Sequence, residues 1–205
     1  MMLPTHVLGG MLLAVPLIRV APELAPIGFV AGFLGGLFPD LDMYVGHRRT
    51  LHYPVYYSLF AALALFAALV APSTVTVAAA LFLLGAAVHS VADMYGGGLE
   101  LRPWEGNSDR AVYNHYHGTW IAPRQLVRYD GAVEDLALSI GLSLPLLYLL
   151  EGPLRQIVLG TLVVAAVYTV TRRHLAELAA RIIPYAPDSL SPFLPDRYQD
   201  DNLKQ

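Results

Sequence analysis

The stretch "HSVAD", from His89 to Asp93, has the residue types and the spacing to hold a metal ion. Residues four apart on an α-helix share one face, so the imidazole and the carboxylate lie one turn apart. Asp93 falls at the predicted end of its helix, where the macrodipole disfavours a negative charge. We therefore expect a cation beside it, either a metal or an arginine. Taken alone, such a pair is more often a surface hydrogen-bonding pair.

The same residue types recur beside three other apolar segments. "TH" opens the first segment, "PDLD" follows the second, and "HRRTLH" precedes the third. Each has an ordinary explanation by itself, as an interfacial histidine or a solvated turn. Ionisable residues gathered near apolar spans, however, indicate a functional site. The sequence therefore predicts one divalent metal site made from His6, Asp40, Asp42, His52, His89 and Asp93. Imidazole and carboxylate ligands suit zinc, manganese or iron.

The segments that must position these residues are strongly apolar. The chain has 205 residues, of which 56% are hydrophobic and 14% are charged. Soluble domains carry about 25% charged residues. A net charge of −3 argues against a nucleic-acid partner. Cysteine is absent, which excludes disulfides, thiolate metal sites and cysteine nucleophiles.

Six apolar segments predict an all-α, polytopic membrane bundle, because long apolar runs with few charges are typical of membrane helices. The first two are short, and the lipid bilayer is the expected surroundings. A membrane-embedded domain covers 1–171, with a long loop at 94–131, and a polar, proline-rich cytoplasmic tail covers 172–205. The predicted helices are 6–20, 24–38, 54–70, 75–93, 132–150 and 154–171.

The basic residues predict an orientation. With six spans, both termini and the 94–131 loop lie on one side of the membrane. Only Arg19 and Arg155 of the 13 Lys and Arg residues fall on the other side. By the positive-inside rule the first side is cytoplasmic. We therefore expect a multi-pass protein of the plasma (inner) membrane, with every candidate ligand at its cytoplasmic face.

The ordered motifs "TH", "PDLD", "HRRTLH" and "HSVAD" resemble those of the YdjM-like family of inner-membrane-associated metal-dependent hydrolases. The resemblance covers residues 5–93, and it departs at "TLHYP", where Leu51 separates Thr50 from His52 and Tyr53 replaces a serine. A more distant resemblance is to the zinc-dependent phospholipase C and single-strand nuclease group. It implies phosphoester hydrolysis and zinc, with Asp93 between two metals. The family resemblance carries over to His6, Asp40, Asp42, Arg48, His52, His89 and Asp93.

Together these features predict a membrane-bound hydrolase that uses metal-activated water on a phosphoester or lipid headgroup at the cytoplasmic face. Its expected catalytic residues are Asp40, Asp93, Arg48 and Arg49, the arginines holding an anionic substrate. One alternative is a transporter for divalent cations or coupled to protons, although transporter sites usually lie near the bilayer midplane. Another is a non-catalytic membrane scaffold whose loop and tail bind a cytoplasmic partner.

Overall fold

Seven α-helices make up most of the chain in the computed structural model, which describes residues 1–185 together with 187 and 189. Each of the six predicted segments is helical, the first being divided into two helices by a turn at 13–16. The all-α bundle is therefore confirmed. The helices are α1 (Leu3–Leu12), α2 (Leu17–Val20), α3 (Ala25–Leu37), α4 (Pro54–Val70), α5 (Thr74–Ala92), α6 (Val133–Leu149) and α7 (Gly152–Ile182).

Four helical stretches within the described residues are long and apolar enough to cross a membrane: Leu3–Val20, Pro22–Tyr44, Thr74–Tyr95 and Gly152–Tyr185. The first two are longer than the sequence indicated, because turns and 3₁₀ segments extend α1 and α3. One such segment, Phe38–Tyr44, begins with Pro39 in its first turn, where a missing N–H costs nothing. The shorter apolar helix is α4, with 17 residues. The number of spans stays a prediction.

The last helix is longer than predicted. The sequence pattern placed its end at Thr171, but α7 continues to Ile182. The apolar run stops at Arg172, while alanine, leucine, glutamate and arginine, all strong helix formers, carry the backbone onward. Residues 172–182 of the predicted tail are therefore helical. Residues 186, 188 and 190–205 of that tail lie outside the described residues.

Glycines let α1, α3 and α5 pack with their backbones almost in contact. A Cβ placed on Gly10 would lie 2.1 Å from the carbonyl oxygen of Gly32, and one on Gly36 would lie 2.5 Å from that of His6. Gly85 of α5 faces the same part of α3, as a Cβ there would lie 2.8 Å from the Gly32 carbonyl. Such close approach is the packing mode that small residues provide between membrane helices. It brings the ends of three helices to one level.

Large apolar side chains remain exposed along the outer faces of the helices. On α4 the exposed fractions reach 68% for Phe66 and 74% for Leu69. On α7, Val163, Val167 and Val170 are also exposed. An exposed apolar surface of this extent is unusual in a soluble monomer and fits a membrane protein.

The loop between α5 and α6 is partly ordered by a hairpin that the sequence did not predict. Strands β1 (Val112–Asn114) and β2 (Thr119–Ile121) pair antiparallel, with Tyr113 opposite Trp120. The backbone N–H of Tyr113 donates to the carbonyl of Arg48, 3.0 Å away, which attaches the hairpin to the segment before α4. The loop therefore covers the end of the bundle that carries the candidate ligands.

The start of α6 is fastened to the start of α1 through a buried carboxylate. Asp135 accepts hydrogen bonds from the backbone N–H of Met2 at 2.7 Å and from the Thr5 hydroxyl at 2.5 Å. It also accepts from the backbone N–H of Gly131 at 3.1 Å, one turn before it. The Asp135 carboxylate therefore joins the start of α1 to the start of α6.

Candidate metal centre

Four side chains from three helix ends meet at one point. Asp40 follows α3, His52 precedes α4, and His89 and Asp93 close α5. One ligand atom from each of these residues lies within 4.8 Å of the other three. Nε2 of His52 is 3.7 Å from Oδ1 of Asp40 and 3.4 Å from Oδ2 of Asp93. Nε2 of His89 lies 3.3 and 3.6 Å from the same two oxygens.

Both histidines are oriented by their other ring nitrogen. Nδ1 of His89 donates to the carbonyl of Gly36 at 2.6 Å. Nδ1 of His52 donates to the carboxylate of Asp42 at 3.0 Å. Since a carbonyl or a carboxylate can only accept, the proton of each neutral ring sits on Nδ1 and leaves a lone pair on Nε2. This is how metal-binding histidines are commonly held in position.

The atoms that face one another at the centre are buried and lack hydrogen bonds. Nε2 of His52, Nε2 of His89 and Oδ2 of Asp93 are such atoms, and all three residues are at most 1% exposed. Unsatisfied buried polar atoms are rare in folded proteins. A tetrahedral zinc with bonds of about 2.0–2.1 Å would separate its ligand atoms by roughly 3.3–3.4 Å, and the four histidine–carboxylate distances above are close to this value. The donor set therefore fits a divalent metal.

His6 lies against this group without belonging to it. Its Nε2 is 3.0 Å from Oδ1 of Asp93, and its ring stacks on that of His89 with 3.7 Å between centroids. Asp93 thus directs Oδ1 to His6 and Oδ2 to the centre. The predicted role of His6 as a ligand, and the two-metal arrangement, stay predictions.

Asp42 is placed behind His52. Its carboxylate is buried and accepts from Nδ1 of His52, from Nδ1 of His47 and from the backbone N–H of Leu51, each at 3.0 Å. It is not among the four residues that converge. In this geometry Asp42 orients His52. The sequence pattern could not distinguish this orienting role from direct metal ligation.

The two predicted arginines occupy different surroundings. Arg48 is 5% exposed; its Nε lies 3.2 Å from Oδ2 of Asp93, and its Nη1 donates to the carbonyl of Gly97 at 2.8 Å. Burial alone would lower the pKa of Arg48, but the charge of Asp93, followed by those of Asp130 and Asp40, raises it above the ordinary value. Arg48 is therefore a permanent cation beside the centre.

Arg48 also has a left-handed backbone, with a φ of 58°. This conformation is uncommon for residues other than glycine, and it is often found at functional sites. Arg49, in contrast, is exposed and lies over the ring of Tyr113 at 4.7 Å. Of the two arginines, only Arg49 is open to solvent.

A cavity of about 740 Å³ reaches the centre from one side. Asp40 is the one member of the four-residue group that lines it, and its side chain is 16% exposed. His47 and Arg48 also line the cavity. The centre is therefore buried on the sides of His52, His89 and Asp93 and reached past Asp40.

Three participants were missed from sequence, the first being the N-terminal ammonium of Met1, which donates to Oδ1 of Asp93 at 2.5 Å. His47 stands in "HRRTLH" and holds Asp42, but nothing in the spacing distinguished it from a solvated residue. The backbone carbonyl of Gly36 holds His89, and a backbone atom leaves no signal in the sequence. The remaining histidines lie elsewhere: Nε2 of His115 is 2.6 Å from the carbonyl of Arg49, while His117 and His174 are exposed.

Comparison with known proteins gives no relative for this arrangement: no family model, no curated protein and no solved structure matches the chain.

Proposed function

We propose that the chain is a membrane-bound, metal-dependent hydrolase that acts on phosphoester or lipid-headgroup substrates. The observation that carries the proposal is the set of three buried ligand atoms without a hydrogen bond that face the partly open Asp40. A divalent metal held there, zinc being the expected one, would supply Lewis-acid polarisation of a phosphoryl group and activation of water. Resemblance of the ordered motifs to the YdjM-like hydrolases supports the same chemistry.

The chain's own residues divide the remaining work. His52, His89 and Asp93 are held rigidly and serve as ligands. Asp40, facing the cavity, is the group placed to accept a proton from the attacking water. Arg48 neutralises Asp93 and limits the negative charge that an anionic substrate would meet. Arg49, which is exposed on the same rim, is the candidate for contact with the phosphoryl oxygens.

The position of the site supports a hydrolase over a transporter. Transporter sites usually form at discontinuous helices near the middle of the bilayer. Here the ligands come from the ends of α3, α4 and α5, at one end of the bundle. An ion bound there has not crossed the apolar part of the chain, whereas a substrate at the membrane surface would reach it directly. We place this surface on the cytoplasmic side from the basic residues.

The test is metal content followed by activity. His89→Ala and Asp93→Ala each remove one of the three ligands, so metal affinity should fall by more than about 100-fold, beyond the loss typical of an outer partner. His174→Ala is the matched control, because His174 is exposed on α7, and should keep full metal. Purified protein would be analysed for bound metal and then for hydrolysis of a panel of phosphoesters. Full metal in both ligand variants, or metal-loaded protein inactive on every phosphoester, would contradict the proposal.

A further inference from the structure

The cavity beside the metal centre has an apolar half that the hydrolytic chemistry does not require. Its walls come from α1, α3 and α7, together with the segment after α3 and the α5–α6 loop, and the side chains on the three helices are mostly apolar. Five ionisable residues also line the cavity: Asp40, His47, Arg48, Glu100 and Asp130. The side chains that line the apolar half include Leu3, Val7, Phe33, Leu37, Ile157 and Val164.

One face of α7 forms a wall of this cavity. Ile157, Gly160, Thr161, Val164 and Tyr168 line it, at spacings of three and four residues, so they share one side of the helix. Ile157 and Val164 remain 41% and 58% exposed, because α7 packs on α6 and α1 and stands away from α3 along this side. A helical face of this kind needs an apolar partner.

Water is a poor occupant of such a space. At the volume that a molecule takes in liquid water, 740 Å³ would hold roughly 25 waters against apolar walls. The cavity also adjoins the outer face of α7, where Val163 and Val167 are exposed. In a chain that fits a membrane protein, this outer face meets lipid. Acyl chains are therefore the apolar material at hand.

We infer that the cavity between α1, α3 and α7 binds one acyl chain of a phospholipid and thereby presents its phosphoryl headgroup to Asp40 and the metal centre. Its volume lies within the range of about 300–1,000 Å³ of sites that enclose a small molecule. The headgroup half of this inference rests on the proposed function, while the chain-binding half rests on the cavity alone. The substrate class is then a membrane phospholipid and not a soluble phosphoester.

The test compares two glycines with open space beside them. A Cβ on Gly160, in the cavity wall, and one on Gly141, on the outer side of α6, would each have no atom within 4 Å. Gly160→Phe should fill the cavity, and Gly141→Phe is the matched control. Val164→Trp is a second cavity-filling variant, should Gly160→Phe fail to fold. Retained bound metal would show that each variant is folded.

The probe is phosphatidylglycerol with a diazirine on one acyl chain, in vesicles of phosphatidylethanolamine and phosphatidylglycerol. After photolysis, mass spectrometry would locate the attached lipid. We expect labelling at Phe33 and Leu37 in the wild type and in Gly141→Phe. In Gly160→Phe or Val164→Trp it should fall roughly tenfold, since two or more buried methylenes are displaced. Labelling of Phe66, on the outer face of α4, is the reference for surrounding lipid and should not change.

Equal labelling of Phe33 and Leu37 in the cavity-filling and control variants would overturn the inference. So would cross-links through Val164 to a second copy of the chain, which would then be the occupant. Activity separates this result from the proposed function. Gly160→Phe should raise the KM for the long-chain phospholipid about tenfold, whereas Gly141→Phe should leave it unchanged. A wild type that hydrolyses neither this phospholipid nor any other phosphoester contradicts the proposed function, and the photolabelling still decides what the cavity binds.

Discussion

Each histidine of the four-residue centre is fixed by a hydrogen bond from Nδ1 and directs Nε2 to the centre. The metal affinity of the site therefore depends on groups that do not themselves contact the ion. Asp42 is the clearest case, since it accepts from His52, His47 and Leu51 together. An outer partner of this kind typically contributes 10- to 100-fold to metal affinity. The distinction between ligand and outer partner can therefore be measured.

Asp42→Asn is expected to weaken the metal by about 10- to 100-fold without abolishing binding, because the amide can still accept one hydrogen bond. Titration with a chelating indicator would measure the dissociation constant. Asp40→Asn changes a converging residue in the same way and should have the larger effect. If Asp42→Asn instead loses the metal as completely as Asp93→Ala does, Asp42 is a ligand and its assigned place behind His52 is wrong.

Variants of the two arginines should differ in stability and in bound metal. Arg48→Gln keeps a polar side chain but removes a buried cation from beside Asp93, which typically costs about 3–5 kcal/mol of stability. Arg49→Gln changes an exposed residue and should leave stability and bound metal nearly unchanged, while turnover falls if Arg49 contacts substrate. Thermal unfolding and metal content of both variants would be compared. A stable, metal-bound Arg48→Gln would show that Asp93 does not need its ion pair.

The sequence predicted the residue types of this site better than their roles. The spacing of His89 and Asp93 settles that they share a helix face. The meeting of Asp40 and His52 was also expected, because both stand at helix ends on one side. Which oxygen or nitrogen faces the ion depends on side-chain rotamers and on the Gly36 carbonyl, and neither leaves a trace in residue spacing.

At the scale of elements, the site depends on how closely the helix ends approach. Gly36 serves twice, because its carbonyl holds His89 and its missing side chain leaves room for the backbone of His6. Helix boundaries were largely predictable, since Pro54 and Ser73 mark the starts of α4 and α5. The hairpin was not, because its two strands of three residues sit among polar loop residues and carry no alternating apolar pattern.

Gly36→Ala is expected to destabilise the fold by about 1–3 kcal/mol, the usual effect of forcing an extra group into a packed site. The added methyl would meet the carbonyl of His6 at 2.5 Å, and backbone cannot move aside as a side chain can. Metal affinity should fall as well, since His6 and His89 both move. Gly141→Ala, which meets nothing within 4 Å inside α6, is the control and should be at least as stable as the wild type. If Gly36→Ala has the same stability and metal affinity as the wild type, the close packing of α1 on α3 is contradicted.

At the scale of the molecule, the centre constrains how the chain can cross a membrane. His52 precedes α4 and Asp93 follows α5, yet their side chains are 3.4 Å apart. The α4–α5 hairpin must therefore return to its starting side. If α5 crosses, so does α4, although its 17 residues rise only about 25 Å against a hydrocarbon core of about 30 Å. Asp135 at the start of α6 likewise bonds to Thr5 at the start of α1.

Because the chain has no cysteine, single introduced cysteines can test this arrangement without background. Ala71 is exposed at the turn between α4 and α5, at the end of the hairpin away from the metal centre, and Asn107 is exposed in the loop beside that centre. In sealed, oriented vesicles, an impermeant maleimide should label Ala71→Cys and Asn107→Cys from opposite sides. The basic residues further predict that Asn107→Cys reacts from the cytoplasmic side. Labelling of both positions from one side would mean that the α4–α5 hairpin does not cross, and the six-span arrangement would fall with it. Labelling from opposite sides with Asn107→Cys outside would keep the spans but move the metal centre, and any lipid it acts on, to the other leaflet.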